Sequence, residues 1–169
     1  MKRLKIVFIT LSVAISTFAY NPKVMPITTP PVTDDPLVII VNKSNPIDNL
    51  SFADLRKTFL AENRVWPNGR RITIVMREQG QADRAAMLRQ IYRMSEGEYN
   101  RYFLQAVFNG TVQGPPKSLT TADGMRKFVF NVPSAVGYIR NSEIDATVKV
   151  IRVDGLSCDA PDYKLKNIK

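Results

Sequence analysis

The chain has 169 residues, of which 44% are apolar and 23% are charged, a composition typical of a globular domain with attached segments. It carries a net charge of +9 and contains no histidine and a single cysteine, Cys158. These counts exclude Ser-His-Asp and Cys-His catalytic sets, zinc sites built from histidine and cysteine, iron–sulfur clusters and a disulfide within the chain.

The first nineteen residues have the pattern of an export signal. Three basic residues among the first five precede an uncharged apolar run over 6–19, which is shorter than the roughly 20 residues that a membrane-spanning helix needs. The small residues Thr17 and Ala19 suit a signal peptidase. We therefore predict a signal peptide over 1–19, cleaved near Ala19–Tyr20, and a periplasmic or secreted protein that does not span the membrane after cleavage. The alternative is a buried N-terminal helix.

Residues 20–36 contain five of the chain's eleven prolines. Proline disrupts helices and central strands, so this stretch is predicted to be an extended arm or linker. Three of the excess positive charges fall in residues 1–19, which leaves +6 on the remainder. A moderately basic protein favours anionic ligands or surfaces.

From residue 37 the hydrophobic pattern alternates between that of strands and that of helices. In chain order it predicts a strand over 37–42, a helix from Ser51, a loop at 66–69, a strand over 71–76, helices over about 81–94, from 96 and over about 121–130, and strands over 135–139 and 147–153. This order indicates an α/β domain over 37–156 with a partly parallel sheet covered by helices. A C-terminal tail is predicted over 157–169.

The junction after the second predicted strand is the best candidate for a binding site. A strand ends there, a glycine permits a tight turn and a helix begins, so backbone N–H groups and an arginine are available to an anion. The predicted ligand-binding residues are Arg77, Gln79, Gly80, Gln81 and Ala82. The alternative is an ordinary turn with a solvated Arg77, which Glu78 and Asp83 favour because their negative charges compete with an anion.

Two other groups of residues admit a functional and a structural interpretation. Aromatic residues interleaved with arginines over 89–103 resemble a stacking surface for single-stranded nucleic acid, but their helical spacing favours the core, and no nucleic-acid partner is predicted. The acidic pairs Asp34/Asp35 and Glu96/Glu98 resemble glycosidase carboxylates. The first pair lies in the arm and the second at a helix start, so both are predicted to be structural, and no catalytic residue is nominated.

Two motifs carry a family resemblance. The first is a helix reading DLRKTFL over 54–60, followed by Trp66 and a strand ending at Arg77; the second is NVPSAVGYI over 131–139. In this order and spacing they resemble the "L-x-x-I-F-L-G" helix, the Trp-containing loop and the "P-G-A-I-G-Y-V" turn of substrate-binding proteins of ABC phosphate-uptake systems. The match covers most of 37–153 and is closest to small, single-lobe, exported members.

The resemblance implies a fold, a site and a function. The fold is a single periplasmic-binding-protein-like lobe, with a mixed, mostly parallel sheet flanked by helices. Arg77 matches the family's ligand-binding arginine and Gly80 a turn glycine, whereas the family's serine and threonine are absent here. The implied function is non-catalytic, weak binding of phosphate or another oxyanion, without cofactor or metal, with an ABC transporter permease or an envelope protein as partner. The alternative is a cell-envelope accessory protein that kept the fold and lost the ligand.

Overall fold

The computed structural model describes residues 35–166. The predicted signal peptide over 1–19, its cleavage site and most of the predicted arm over 20–36 lie outside the described residues. Within 35–166, every helix is too short or too polar to cross a membrane.

The described residues contain six strands and four α-helices. The strands are β1 (Leu37–Asn42), β2 (Asn49–Leu50), β3 (Thr73–Arg77), β4 (Lys117–Leu119), β5 (Ala135–Arg140) and β6 (Val148–Val153). The helices are α1 (Phe52–Phe59), α2 (Ala82–Met87), α3 (Glu96–Phe108) and α4 (Ala122–Asn131). A π-helical turn (Leu88–Tyr92) continues α2, and a 3₁₀ turn (Asn141–Glu143) follows β5.

The strands form one sheet in the order β2-β6-β1-β5-β3-β4. The central strand β1 runs antiparallel to both of its neighbours, β5 and β6. The other three neighbouring pairs, β2/β6, β3/β4 and β3/β5, are parallel. The predicted α/β architecture with a mixed, mostly parallel sheet is confirmed.

Helices cover both faces of this sheet. Alternate side chains of β1 point to opposite faces, so Leu37, Ile39 and Val41 join one core while Val38 and Ile40 join the other. The first core lies under α1, α2 and α3, and the second lies under α4. Both faces of β1 are therefore buried, which explains its continuous apolar run.

The starts of α1 and α3 are set by their caps, as the sequence predicts. The Ser51 side chain accepts a hydrogen bond from the backbone N–H of Asp54. Ser95 and Glu98 form a full capping box, in which Glu98 Oε2 accepts from the Ser95 N–H at 2.8 Å. The N–H and hydroxyl of Ser95 lower the pKa of the Glu98 carboxyl. The capping box itself gives this acid the structural role that the sequence predicts.

Three local features differ from the predictions. The strands β2 and β4 were not predicted, because two and three residues are too short to show a strand period. The helix predicted over about 81–94 changes to π geometry after Met87. It ends at Arg93, which has a left-handed backbone conformation with φ 55°.

Residues 157–166, which fall in the predicted C-terminal tail, pack against the domain. Tyr163 and Leu165 are buried in the first core. The backbone N–H of Leu37, at the start of β1, donates to the Leu165 carbonyl at 3.1 Å. This part of the chain therefore contributes to the core of the domain.

The strand β5 and the helix α4 approach closely at Gly137. A Cβ atom added there would lie 2.6 Å from Met125 Sδ, whereas one added at Gly97 on α3 would have no neighbour within 4 Å. We expect Gly137→Ala to lower the free energy of unfolding by about 1–2 kcal/mol, because the buried Met125 must move. Gly97→Ala should raise it by roughly 0.5–1 kcal/mol, since alanine favours helix. Urea unfolding measures both, and changes of equal sign would contradict the close approach.

Candidate functional site

The arginine at the end of β3 is buried without a full set of partners. Arg77 is 8% exposed, and its Nε and Nη1 atoms have no hydrogen-bond partner among the described residues. Buried charged groups are ordinarily paired, because an unpaired one loses its hydration without compensation. Arg77 is therefore not solvated, contrary to what the alternative expects, whereas an ordinary turn without a ligand stays a prediction.

Two residues that the sequence analysis did not single out hold the backbone of Arg77. Its N–H donates to the Tyr138 hydroxyl at 2.9 Å, and its carbonyl accepts from Arg84 Nη1 at 2.9 Å. Burial raises the pKa of Tyr138, so this hydroxyl stays protonated and retains a proton to donate. Tyr138 lies within the predicted strand over 135–139, but its period-2 pattern gives no sign that the hydroxyl reaches β3.

Arg84 links the end of β3 to the starts of α2 and α3. Its Nε lies 3.0 Å from both carboxylate oxygens of Glu96, and its Nη2 lies 2.6 Å from Glu96 Oε1. The guanidinium carbon lies 4.6 Å from the centre of the Tyr99 ring. Burial alone would lower the pKa of Arg84, but the hydrogen bond to Glu96 and the surrounding groups outweigh it and raise that pKa. Glu96 is therefore structural, as predicted.

The turn after Arg77 is exposed and leads directly into α2. Gln79 and Gly80 are exposed, and Gly80 has φ +86°, which favours glycine. The backbone N–H of Gln81 donates to the Glu78 carbonyl at 3.3 Å, and the Gln81 side chain makes no capping hydrogen bond. Ala82 is the first residue of α2.

The structure brings together only some of the predicted site residues. Gly80, Gln81 and Ala82 line one open cavity of about 300 Å³, while Arg77 and Gln79 do not line it. Val75 packs under α4, and Arg77 is two residues further along the same strand, so strand alternation directs Arg77 toward the α4 face. The Arg77 side chain and the cavity lined by the turn, which Leu88 of the first core also lines, therefore lie on opposite faces of the sheet.

The negative charge of Asp83, expected to compete with an anion at this turn, is paired elsewhere. Asp83 Oδ1 accepts a hydrogen bond from Arg140 Nε at 2.6 Å. Arg140 also donates through Nη1 to the Asp35 carbonyl at 2.8 Å. Because Arg140 compensates it, Asp83 opposes an anion at the turn less than the sequence indicates.

The aromatic residues that could have stacked on nucleic acid form part of the core instead. Tyr92 lies edge-to-face against Phe59, Tyr99 and Phe103, with ring centres 5.0–6.3 Å apart. Burial raises the pKa of Tyr99 to about 12. The prediction that these aromatics belong to the core is confirmed.

Within residues 35–166, no three acidic or cysteine side chains gather in a way that could hold a metal ion.

No protein-family model and no curated protein sequence matches the chain. Solved structures do resemble it. An ABC-type phosphate transport receptor from Vibrio cholerae matches with a TM-score of 0.64 at 21% identity, over 78% of this chain and 53% of that one. A Clostridium perfringens structure described as a phosphate ABC transporter substrate-binding protein with bound phosphate matches with a TM-score of 0.63 at 21% identity, over 79% and 53%.

PstS from Borrelia burgdorferi matches with a TM-score of 0.60 at 14% identity, over 79% of this chain and 55% of that one. The chain therefore spans about half the length of these receptors. At such low identity the likeness concerns the fold alone. The described residues have the fold found in phosphate-transport substrate-binding proteins, which confirms the fold that the resemblance implies.

Proposed function

We propose that this chain is an exported, non-catalytic binding protein that holds phosphate or another oxyanion at Arg77 and the 79–82 turn. The observation that carries the proposal is the buried Arg77 guanidinium, whose Nε and Nη1 lack partners. An oxyanion would supply two charge-assisted hydrogen bonds to these atoms. The fold supports the proposal, because solved neighbours with this fold are named as phosphate receptors.

The location of Arg77 also supports an anion site. In open α/β sheets, ligands bind beyond the carboxyl ends of the strands, and Arg77 is the last residue of β3. Its strand partner Leu119 lies shortly before Thr121, the N-cap of α4. To contact both the guanidinium and the backbone N–H groups of the 79–82 turn, an anion would have to lie beyond the carboxyl end of β3, where the turn begins.

We expect the binding to be weak. The described residues form one lobe, and an anion held by one lobe keeps part of its hydration, so each charged contact is screened. The turn also lacks the serine and threonine hydroxyls of the related family. An ABC transporter permease would be the partner of such a receptor after export to the periplasm.

Isothermal titration tests the proposal directly. We expect wild-type protein to release or absorb heat with phosphate or sulfate at micromolar to low-millimolar concentration. Arg77→Met should abolish this signal, because it removes the charge but keeps an apolar stem of similar length. Arg101→Met, at an exposed position of α3, is the matched control and should bind as wild type does. Absence of binding by folded wild-type protein would contradict the proposal.

A second candidate function is that of an envelope accessory protein without a ligand. The observation that favours it lies on α3, where Leu104 and Phe108 are 70% and 90% exposed. These residues are four apart and share one helix face, which would suit contact with a protein partner. This function requires silent titrations with both anions, together with an envelope partner that the wild type retains and the Leu104→Ser, Phe108→Ser double variant loses.

A further inference from the structure

A second cavity lies at the opposite end of β3 from Arg77. It is bounded by Ile72, which precedes β3, by Thr73 and Ile74 at the start of β3, and by residues 110–117, and its volume is about 300 Å³. Thr73 and Arg77 are four strand positions apart, which corresponds to about 13 Å along β3. The cavity is therefore separate from the proposed anion site, and its size is at the lower end of small-molecule pockets.

The floor of this cavity is apolar. Ile74 and Phe103 are 8% and 2% exposed and belong to the first core, and Ile72 and Val112 pack against the same core. A fully hydrated ion would bury little of this apolar surface and so would bind weakly to it. The floor favours a ligand that covers it with carbon atoms, because burying apolar surface from both sides is favourable.

The rim of the cavity is positively charged. Arg64, Arg71 and Lys117 line it, and none of the lining residues is acidic. Arg64 Nη1 donates to the Thr111 carbonyl at 2.9 Å, which fixes this guanidinium against the cavity wall. The Lys117 ammonium lies 5.4 Å from the centre of the Phe128 ring on α4, which does not line the cavity, so this charge is engaged elsewhere. Arg64 and Arg71 thus supply the positive charge.

We infer that this cavity is a second binding site for a small organic acid. The apolar body of this ligand packs on the floor formed by Ile72, Ile74, Phe103 and Val112, and its anionic group contacts Arg64 and Arg71. The class includes aromatic or short-chain carboxylates, sulfonates and phosphate monoesters. Arginine binds such groups through two parallel N–H donors, while the apolar floor selects against inorganic phosphate. The inference does not depend on the function proposed for Arg77.

The fluorescent probe anilinonaphthalene sulfonate, which has a flat apolar body and one anionic group, tests this inference with the intact protein. We expect saturable binding with one probe per chain. Arg71→Gln should weaken it about tenfold, the effect of losing one charge-assisted contact, and Arg71→Glu should weaken it further. The matched control is Arg70→Gln, because Arg70 is the exposed neighbour in sequence and does not line the cavity.

Two comparisons separate this site from the proposed anion site at Arg77. Arg77→Met should leave probe binding unchanged, and millimolar inorganic phosphate should not displace the probe, whereas phenyl phosphate should. Circular dichroism confirms that each variant is folded. Absence of probe binding, equal binding by wild type and both Arg71 variants, or loss of binding in Arg77→Met alone would each overturn the inference.

Discussion

Arg84→Ala is expected to lower the free energy of unfolding by about 3 kcal/mol, the low end for breaking a buried ion pair because Glu96 keeps some contact with water. The substitution removes three contacts at once: the ion pair with Glu96, the hydrogen bond to the Arg77 carbonyl and the packing over the Tyr99 ring. Urea unfolding at neutral pH measures the loss.

The exposed ion pair between Lys127 and Asp123 provides the control for Arg84. Its Nζ–Oδ2 distance is 2.8 Å, but the two side chains are 74% and 56% exposed. Surface pairs of this kind contribute little, so Lys127→Ala should change the free energy of unfolding by less than about 0.5 kcal/mol. Similar losses in the two variants would show that burial does not strengthen the Arg84–Glu96 pair.

The second large expected effect is on the stability of a variant at Arg77, and it is a gain where Arg84→Ala gives a loss. In buffer free of phosphate and sulfate, Arg77→Met should raise the free energy of unfolding by about 1–2 kcal/mol. An apolar side chain of similar length then replaces a buried charge with unpartnered Nε and Nη1 atoms. Thermal and urea unfolding in a non-coordinating buffer measure the gain, and Arg101→Met should change stability by less than about 0.5 kcal/mol.

In added phosphate, the wild type should become more stable than Arg77→Met. A ligand that binds only the folded state stabilises it by about 2.7 kcal/mol at one hundred times its Kd, so phosphate should raise the Tm of the wild type. The Tm of Arg77→Met should not respond. The account is contradicted if, in the absence of anions, Arg77→Met is less stable than the wild type. The guanidinium would then already have partners within the protein.

Much of the fold can be predicted because its signals are local. The apolar run of β1, the cap at Ser51 and the capping box at Ser95 each fix an element within a few residues. The pairing of β1 between β5 and β6 cannot be predicted in this way. It depends on contacts between residues about one hundred positions apart, which no sequence period encodes.

The candidate site also has features that the local sequence predicts and features that depend on distant contacts. The position of Arg77 at a strand end follows from the β-branched run before it, so the sequence predicts an arginine at the carboxyl end of this strand. Its burial and its missing partners do not follow, because a strand period shows which face a side chain takes but not what the neighbouring elements bring to it. The hydrogen bond from the Arg77 N–H to the Tyr138 hydroxyl comes from another strand and is equally absent from the local pattern. The pairing of Asp83 with Arg140 is equally remote in sequence, and without it the turn looks more negative than it is.

Crystals of the mature protein grown with selenate, an oxyanion with a detectable anomalous signal, test the central claim most directly. The account predicts an anomalous peak beside the Arg77 guanidinium, with selenate oxygens within about 3 Å of Nε or Nη1. Crystals of Arg77→Met should lack the peak. A guanidinium turned into bulk solvent, or one engaged by a carboxylate of this chain with no selenate beside it, would contradict the account.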